Sequence, residues 1–87
     1  MRAGASNQMK LDVQLFGSYR EIAPGGSLSL EIPEGATVAD LVRCLHERVP
    51  GRLPPRPAIA VNRRHAQNGQ ILRPSDELAL IPAAAGG

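Results

Sequence analysis

Residues 27–49 read SLSLEIPEGATVADLVRCLHERV and join a strand pattern directly to a helix pattern. The first six residues alternate polar and apolar side chains, which places Leu28, Leu30 and Ile32 on one face of a strand. After Pro33-Glu34-Gly35 breaks this strand, apolar residues recur at helical spacing within one stripe roughly 100° wide. These residues are Val38, Leu41, Val42, Leu45 and Val49. The stretch therefore predicts a strand followed by an amphipathic helix.

Both ends of the helix carry stop or start signals. Thr37 is the predicted N-cap, and Asp40, three residues later, is its predicted capping-box partner. Pro50-Gly51 ends the helix. A single helix with one apolar stripe must lie across one face of a sheet in order to bury that stripe.

The residues on either side supply the strands of that sheet. Lys10–Phe16 alternates strictly, and the polar segment Gly17–Gly26 is predicted to be the loop of a hairpin with residues 27–32. On the other side, Ala58–Asn62 and Glu77–Ile81 are predicted strands, and Gln70–Leu72 is a possible brief strand between them. The predicted fold class is α+β, with one main helix across a mixed sheet of four to five strands.

Composition limits the function classes. The chain has 87 residues, which fits one domain, and its aromatic fraction of 2% predicts an aliphatic core. The single cysteine, Cys44, excludes an internal disulfide framework and favours a cytoplasmic location. No apolar run approaches the length of a membrane span, and residues 1–8 lack the apolar segment of a signal peptide. We expect residues 1–8 to be a disordered leader.

The chain is mildly basic, with a formal net charge of +2. Five arginines lie within residues 52–73, but no four basic residues are consecutive, and one Phe and one Tyr offer no stacking platform for bases. We therefore expect no nucleic-acid partner. Docking of these arginines on an acidic protein remains open.

The side chains that could carry chemistry are too dispersed to form a site. Cys44 and His46 lie roughly 160° apart on the predicted helix, so they cannot form a nucleophile–base pair. One cysteine and two separated histidines have no metal-ligand spacing. Asp40 and Glu47 are two turns apart, which makes a carboxylate pair for acid–base catalysis improbable. The sequence predicts no catalytic residues, no metal and no bound cofactor.

After Pro82 the sequence reads Ala83-Ala84-Ala85-Gly86-Gly87. These residues have no charge and little to pack with, so residues 83–87 are expected to form a flexible tail behind a domain of residues 9–82. Extended from Pro82, the tail reaches about 20 Å. Two glycines suit passage through a narrow slot in a partner protein, because they lack Cβ atoms.

Several segments together resemble the MoaD/ThiS family of ubiquitin-like sulfur carriers, over roughly residues 10–87. They are Leu15-Phe16-Gly17-Ser18-Tyr19-Arg20-Glu21, Thr37-Val38-Ala39-Asp40-Leu41, Val61-Asn62, and Asp76-Glu77-Leu78-Ala79-Leu80-Ile81-Pro82 running into Ala83-Ala84-Ala85-Gly86-Gly87. The most specific element is the final Gly-Gly behind an alternating strand and a proline. The resemblance implies a β-grasp fold and a carrier without a catalytic site of its own.

The resemblance also implies a chemistry centred on Gly87. An E1-like adenylating enzyme is expected to activate the Gly87 carboxylate with ATP, and a sulfur donor then converts it to a thiocarboxylate. Ala83, Ala84, Ala85 and Gly86 are expected to thread into the partner. In the MoaD branch the sulfur passes to a molybdopterin precursor in a larger, MoaE-like subunit, and the free carrier is expected to be monomeric. The alternatives are a ThiS-like sulfur donor for thiamin thiazole or another sulfur metabolite, a ubiquitin-like protein modifier, and a plain interaction module.

Strand parity indicates where a partner docks. Phe16 shares a face with Lys10, Asp12 and Gln14, opposite the core residues of its strand, and Ile81 is likewise opposite Leu78 and Leu80. Apolar side chains exposed beside the tail predict a docking patch. The family resemblance agrees, because carriers of this type use apolar residues at these two positions.

Overall fold

The computed structural model describes residues 7–82. Its elements, in chain order, are β1 (Gln8–Leu15), β2 (Ser27–Pro33), α1 (Val38–Arg48), β3 (Ala58–Val61), β4 (Arg64–His65) and β5 (Leu78–Ile81). The predicted leader, apart from its last two residues, and the predicted tail lie outside the described residues.

The five strands form one mixed sheet in the order β2-β1-β5-β3-β4. The two central strands, β1 and β5, are parallel, and the other neighbouring pairs are antiparallel. A parallel pair needs a long crossover connection, and α1 lies within it. This confirms the predicted mixed sheet with one main helix. Among residues 7–82, no helix has both the length and the apolar character needed to cross a membrane.

The core lies between α1 and one face of the sheet and is aliphatic, as predicted. Strict alternation in β1 and β2 turns every second side chain inward, and α1 contributes three buried side chains, Val38, Leu41 and Leu45. Leu41 and Leu78 are both fully buried. None of the buried side chains in the described part of the chain is polar or charged. On the other face, Lys10, Asp12 and Gln14 of β1 are exposed, and no helix within residues 7–82 covers them.

The predicted capping box is present at the start of α1. The Thr37 hydroxyl accepts a hydrogen bond from the Asp40 N–H at 3.3 Å, and the Asp40 carboxylate accepts one from the Thr37 N–H at 2.9 Å. The Thr37 N–H and then the Arg43 side chain hold the pKa of Asp40 below its usual value. These bonds satisfy backbone donors that the first turn of a helix leaves unpaired.

Replacing Thr37 tests this cap. We expect Thr37→Ala to lower the free energy of unfolding by about 1 kcal/mol, because one backbone donor loses its acceptor. Thr37→Ser keeps the hydroxyl and should stay close to wild type. Urea denaturation followed by circular dichroism measures both variants, and equal stabilities for the two would show that the hydroxyl contributes nothing.

The position of the short strand was predicted wrongly. Gln70–Leu72 is not a strand: Ile71 forms only an isolated bridge to Thr37. The fourth strand is instead Arg64–His65, which lies between the predicted strands Ala58–Asn62 and Gln70–Leu72. The reason is the two-residue turn at Asn62 and Arg63, whose φ angles of 54° and 70° fold the chain straight back onto β3. The hairpin was not predicted because Arg63 occupies the second position of the turn, where glycine is the usual signal.

Smaller differences concern boundaries. The loop between β1 and β2 contains two short 3₁₀ helices, Gly17–Ile22 and Pro24–Gly26. Gln8, predicted to belong to the leader, is the first residue of β1, because it pairs with Pro33 at the end of β2. These changes leave the topology unaffected.

Candidate functional site

The face of the sheet opposite α1 carries a shallow groove close to Pro82, the last residue before the tail. Phe16 is 49% exposed and Ile81 is half-buried, and both side chains line this groove of about 400 Å³. The structure thus places the two predicted docking residues together and at the surface. Their docking role remains a prediction.

The floor of the groove consists of small side chains. A row of paired residues crosses four strands on this face, from Gln14 through Ala79 and Ala60 to His65. Because the two central members of the row are alanines, longer side chains on β1 and β4 form walls on either side. The lining residues are Gln14, Phe16, Ala60, Arg63, His65, Glu77, Leu78, Ala79 and Ile81.

Sequence reasoning found only part of this surface. Gln14 and Ala79 could have been added, because strand parity assigns them to the same face as Phe16 and Ile81. The wall formed by Arg63 and His65 was missed because β4 was not predicted.

The tail leaves the domain at a close contact between Gly17 and Pro82. Gly17 has a φ of +57°, and a Cβ atom built on it would lie 2.9 Å from Cγ of Pro82. Only glycine accommodates both the backbone angle and the proline ring. Gly17 therefore lets Pro82 pack at the end of β1, next to Phe16, and sets the point from which the tail departs.

At the opposite end of β5, a hydrogen-bond network fixes the start of the strand. The Asn62 side chain accepts a hydrogen bond from the Glu77 N–H at 2.9 Å and donates one to the Asp76 carboxylate at 2.9 Å. Asp76 also accepts from the Arg73 N–H at 2.8 Å. Asn62 and Asp76 both belong to the segments that resemble the MoaD/ThiS family. Their hydrogen bonds give them a structural role, because they hold the turn at residues 73–76 against the end of β3.

Cys44 and His46 are not brought together. Cys44 lines a cavity between α1 and the end of β2, whereas the His46 ring lies 3.3 Å from the Pro55 carbonyl oxygen on another side of the helix. Burial, and then the nearby Glu47 carboxylate, raises the pKa of the Cys44 thiol, which disfavours the thiolate. The arrangement does not activate a nucleophile.

The remaining candidate side chains also have other roles or positions. Asp40 is engaged in the helix cap and is not placed for acid–base catalysis. Within residues 7–82, no cluster of three or more His, Cys, Asp or Glu side chains is arranged to hold a metal ion.

The residues predicted to carry the chemistry lie beyond this body. Gly87, Gly86, Ala85, Ala84 and Ala83 are outside the described residues, so their roles stay predictions. The described residues hold Pro82, after which the tail begins, against Gly17, and they form a largely apolar groove next to it.

Comparison with known proteins agrees with this architecture. Residues 13–87 match the ThiS family model. The molybdopterin synthase sulfur carrier subunit of Arabidopsis thaliana is 31% identical to this chain, in an alignment of 87 positions that covers 94% of this chain and 88% of that protein.

Several solved structures share the fold, and two of them illustrate the similarity. One is SAMP1 of Haloferax volcanii, with a TM-score of 0.71 and 26% identity over 90% of this chain and 99% of that one. The other is a putative molybdopterin converting factor, subunit 1, of Pyrococcus furiosus, with a TM-score of 0.73 and 26% identity over 87% of this chain and 99% of that one. The fold is therefore the predicted ubiquitin-like β-grasp.

Carriers of this family have no catalytic site of their own, and residues 7–82 provide the Gly17–Pro82 contact and the groove next to it. The chain belongs to the ThiS family and is a sulfur carrier of the MoaD/ThiS type rather than an enzyme in its own right.

Proposed function

We propose that the carboxylate of Gly87 is the group that carries sulfur. The observation that supports this most is the family match, which extends through residue 87 and so includes the Gly86-Gly87 pair. The absence of an activated nucleophile within residues 7–82 is consistent with chemistry that resides in the tail.

The first step of the proposed reaction makes the carboxylate reactive. A carboxylate is ionised at neutral pH and resists attack by nucleophiles. An E1-like enzyme overcomes this by joining a Gly87 carboxylate oxygen to the α-phosphorus of ATP, with pyrophosphate as the leaving group. The product is an acyl adenylate whose carbonyl carbon is an electrophile. ATP is bound by the partner, and the carrier itself holds no cofactor.

The second step introduces sulfur. A donor that delivers sulfur at the oxidation level of sulfide attacks the Gly87 carbonyl carbon, and the bond to AMP breaks. One oxygen of the original carboxylate leaves with AMP, and a thiocarboxylate remains. Its sulfur is a good nucleophile that can be passed to an acceptor in the cytoplasm.

We propose molybdopterin synthesis as the pathway that receives the sulfur. The relatives in Arabidopsis thaliana and Pyrococcus furiosus are named for molybdopterin, which supports this choice over thiamin thiazole. In this proposal the acceptor is a molybdopterin precursor bound to a larger, MoaE-like catalytic subunit. The groove around Phe16 and Ile81 docks that subunit and the adenylating enzyme in turn, while the tail enters their active sites.

A second candidate is attachment of Gly87 to a lysine of another protein. The structural similarity to SAMP1, a small archaeal modifier protein, favours this alternative. Both functions share the acyl adenylate and differ in the nucleophile that attacks it.

Intact mass spectrometry separates the candidates. The full chain is incubated with the cognate adenylating enzyme, ATP and a sulfur donor, and a parallel sample omits ATP. We expect the complete mixture alone to give a mass gain equal to the difference between one sulfur and one oxygen atom. A covalent conjugate with a second protein, with no sulfur gain, would support the modifier. An unchanged mass under all conditions would contradict both.

A further inference from the structure

The sheet ends on one side with β2, a strand of seven residues. β1 pairs with one side of β2, and within residues 7–82 no strand pairs with the other side. A strand at the edge of a sheet presents unpaired N–H and C=O groups to which a further strand can add. The opposite edge strand, β4, has only two residues, so β2 is the longer of the two edges.

Two residues of β2 direct their backbone groups toward this free edge. The Glu34 N–H donates to the Asn7 carbonyl oxygen at 2.9 Å, in line with the register of β1 and β2. Hydrogen-bonded pairs recur at every second residue of an antiparallel ladder, so the even-numbered residues of β2 bond to β1. The N–H and C=O groups of Ser29 and Glu31 therefore point away from β1.

Two hollows of about 350 Å³ each lie where α1 passes β2. One is lined by Ile32 and by Cys44 of α1, and the other by Leu30 and by Arg48, the last residue of α1. Cys44 and Arg48 are four residues apart in the helix, so they lie on the same side of it. We call the two hollows together the edge cleft.

The spacing of the hollows matches the spacing of side chains in a strand. Leu30 and Ile32 are two residues apart, and side chains two residues apart in a strand lie on one face. Residues directly opposite each other in neighbouring strands also share a face. A strand added beside β2 therefore places two alternate side chains next to Leu30 and Ile32, one in each hollow.

The hollow beside Ile32 favours an apolar side chain. Apart from the Ile32 side chain, it is lined by the half-buried Cys44 and the buried Ala36. The two charged side chains that α1 contributes to its rim, Asp40 and Arg43, already pair with each other at 2.9 Å. They leave no net charge for a ligand from α1.

The hollow beside Leu30 favours an acidic side chain. Lys10, Glu31 and Arg48 are its charged residues. Lys10 and Glu31 lie directly opposite each other on β1 and β2, so their charges offset one another. Arg48 is exposed and forms no ion pair within residues 7–82. A carboxylate in this hollow complements it.

A second copy of this chain fits the free edge less well. When two β2 strands pair antiparallel through Ser29 and Glu31, the twofold axis passes through Leu30, which then faces its own counterpart. Arg48 lines the hollow beside Leu30, so the dimer brings the two Arg48 side chains together near the axis. Like charges at that point oppose self-association.

We propose that the free edge of β2 binds an extended segment of another protein, which adds to the sheet as a further strand. The segment runs antiparallel to β2, because antiparallel pairs are slightly more stable. It carries an apolar side chain beside Ile32 and, two residues later, an acidic side chain beside Arg48. Main-chain hydrogen bonds to Ser29 and Glu31 provide affinity, and the edge cleft provides specificity.

This surface is separate from the groove beside the tail. The groove is lined by residues of β1, β3, β4 and β5 and the turns next to them, and by none of β2 or α1. A partner that covers Phe16 and Ile81 therefore leaves the edge cleft open. The inference does not depend on the sulfur chemistry of the tail.

A designed peptide serves as the probe. It is a capped nine-residue peptide in which threonine alternates with two valines and then one glutamate, with a lysine at each end. The isotope-labelled full chain is titrated with it, and nuclear magnetic resonance gives both the affinity and the amides that respond. We expect the largest shifts at Ser29, Glu31 and Arg48, and little change at Phe16 and Ile81.

Charge reversal tests the acidic position. Arg48→Glu should weaken binding of the glutamate peptide about tenfold, because it replaces an exposed ion pair by a repulsion. The same variant should bind a peptide with lysine in place of that glutamate more tightly than wild type does. Arg52→Glu makes an equal charge change at an exposed position just beyond α1 and should bind the glutamate peptide like wild type.

A second pair of variants tests strand addition. Glu31→Pro removes an N–H that points to the free edge, and an edge strand tolerates proline at such a position. Glu31→Thr removes the same charge and keeps the N–H. Both should remain folded in urea denaturation, and only the proline variant should lose the peptide.

Four outcomes would overturn the proposal. The first is no binding of the glutamate peptide, or shifts centred on Phe16 and Ile81. The second is equal weakening by Arg48→Glu and Arg52→Glu, which indicates an effect of net charge only. The third is equal binding by Glu31→Pro and Glu31→Thr. The fourth is self-association of the wild-type chain, lost in Glu31→Pro and seen by sedimentation without peptide, which makes a second copy the occupant.

Discussion

Deleting Gly87 should abolish sulfur acquisition while leaving the domain as stable as wild type. Removal of one residue withdraws the terminal carboxylate by up to about 3.5 Å. Because misplacement of a reacting group by even 1 Å can cost about a hundredfold in rate, we expect at least that loss in thiocarboxylate formation. Stability should not change, because the buried core is built from residues 9–80 and the deletion removes no side chain from it. Intact mass spectrometry and urea denaturation measure the two quantities.

A deletion at the other end of the chain is the matched control. Removing residues 1–6 shortens the chain but leaves Gly87 and all of β1 in place. This variant should gain sulfur at the wild-type rate. Wild-type sulfur transfer by the protein that lacks Gly87 would show that its carboxylate is not the activated group.

Phe16→Asp should weaken binding to the adenylating enzyme by about 30-fold to 1000-fold, the effect of removing an apolar anchor from an interface. Phe16 is 49% exposed and borders the groove, so the substitution introduces a charge where the partner must exclude water. Only a small effect on the free energy of unfolding is expected, since Phe16 lies outside the buried core. Isothermal titration and urea denaturation test the two expectations.

The chain offers a close control for this variant. Among residues 7–82, Ile71 is the other large apolar residue with high exposure, at 57%, and it pairs with Thr37 at the start of α1 rather than lining the groove. Ile71→Asp makes the same charge change at a comparable exposure. We expect its affinity to stay near wild type. If Phe16→Asp and Ile71→Asp weaken binding equally, the groove has no special part in docking.

The main elements of the fold were predictable because their patterns are local and strong. Alternation in residues 10–16 and 27–32 predicted β1 and β2, and the apolar stripe with the Thr37 cap predicted α1. Each pattern repeats over several residues, so burial of one face fixes the structure. Strand parity also predicted the exposure of Phe16, because side chains alternate between the two faces.

The β3–β4 hairpin could not be predicted by the same means. A two-residue strand is too short to show alternation, and its turn holds Arg63 where the expected signal is glycine. The wall of the groove formed by Arg63 and His65 was missed as a consequence. Likewise, the sequence gives no sign that Gly17 faces Pro82, because that contact joins segments far apart in the chain.

The location of the transferred sulfur tests the central claim most directly. After reaction with the adenylating enzyme, ATP and a sulfur donor, cleavage after Glu77 releases residues 78–87, which tandem mass spectrometry can sequence. We predict that sulfur replaces one oxygen on Gly87 and on no other residue. Sulfur added to Cys44, the only thiol of the chain, with Gly87 unchanged, would contradict the account.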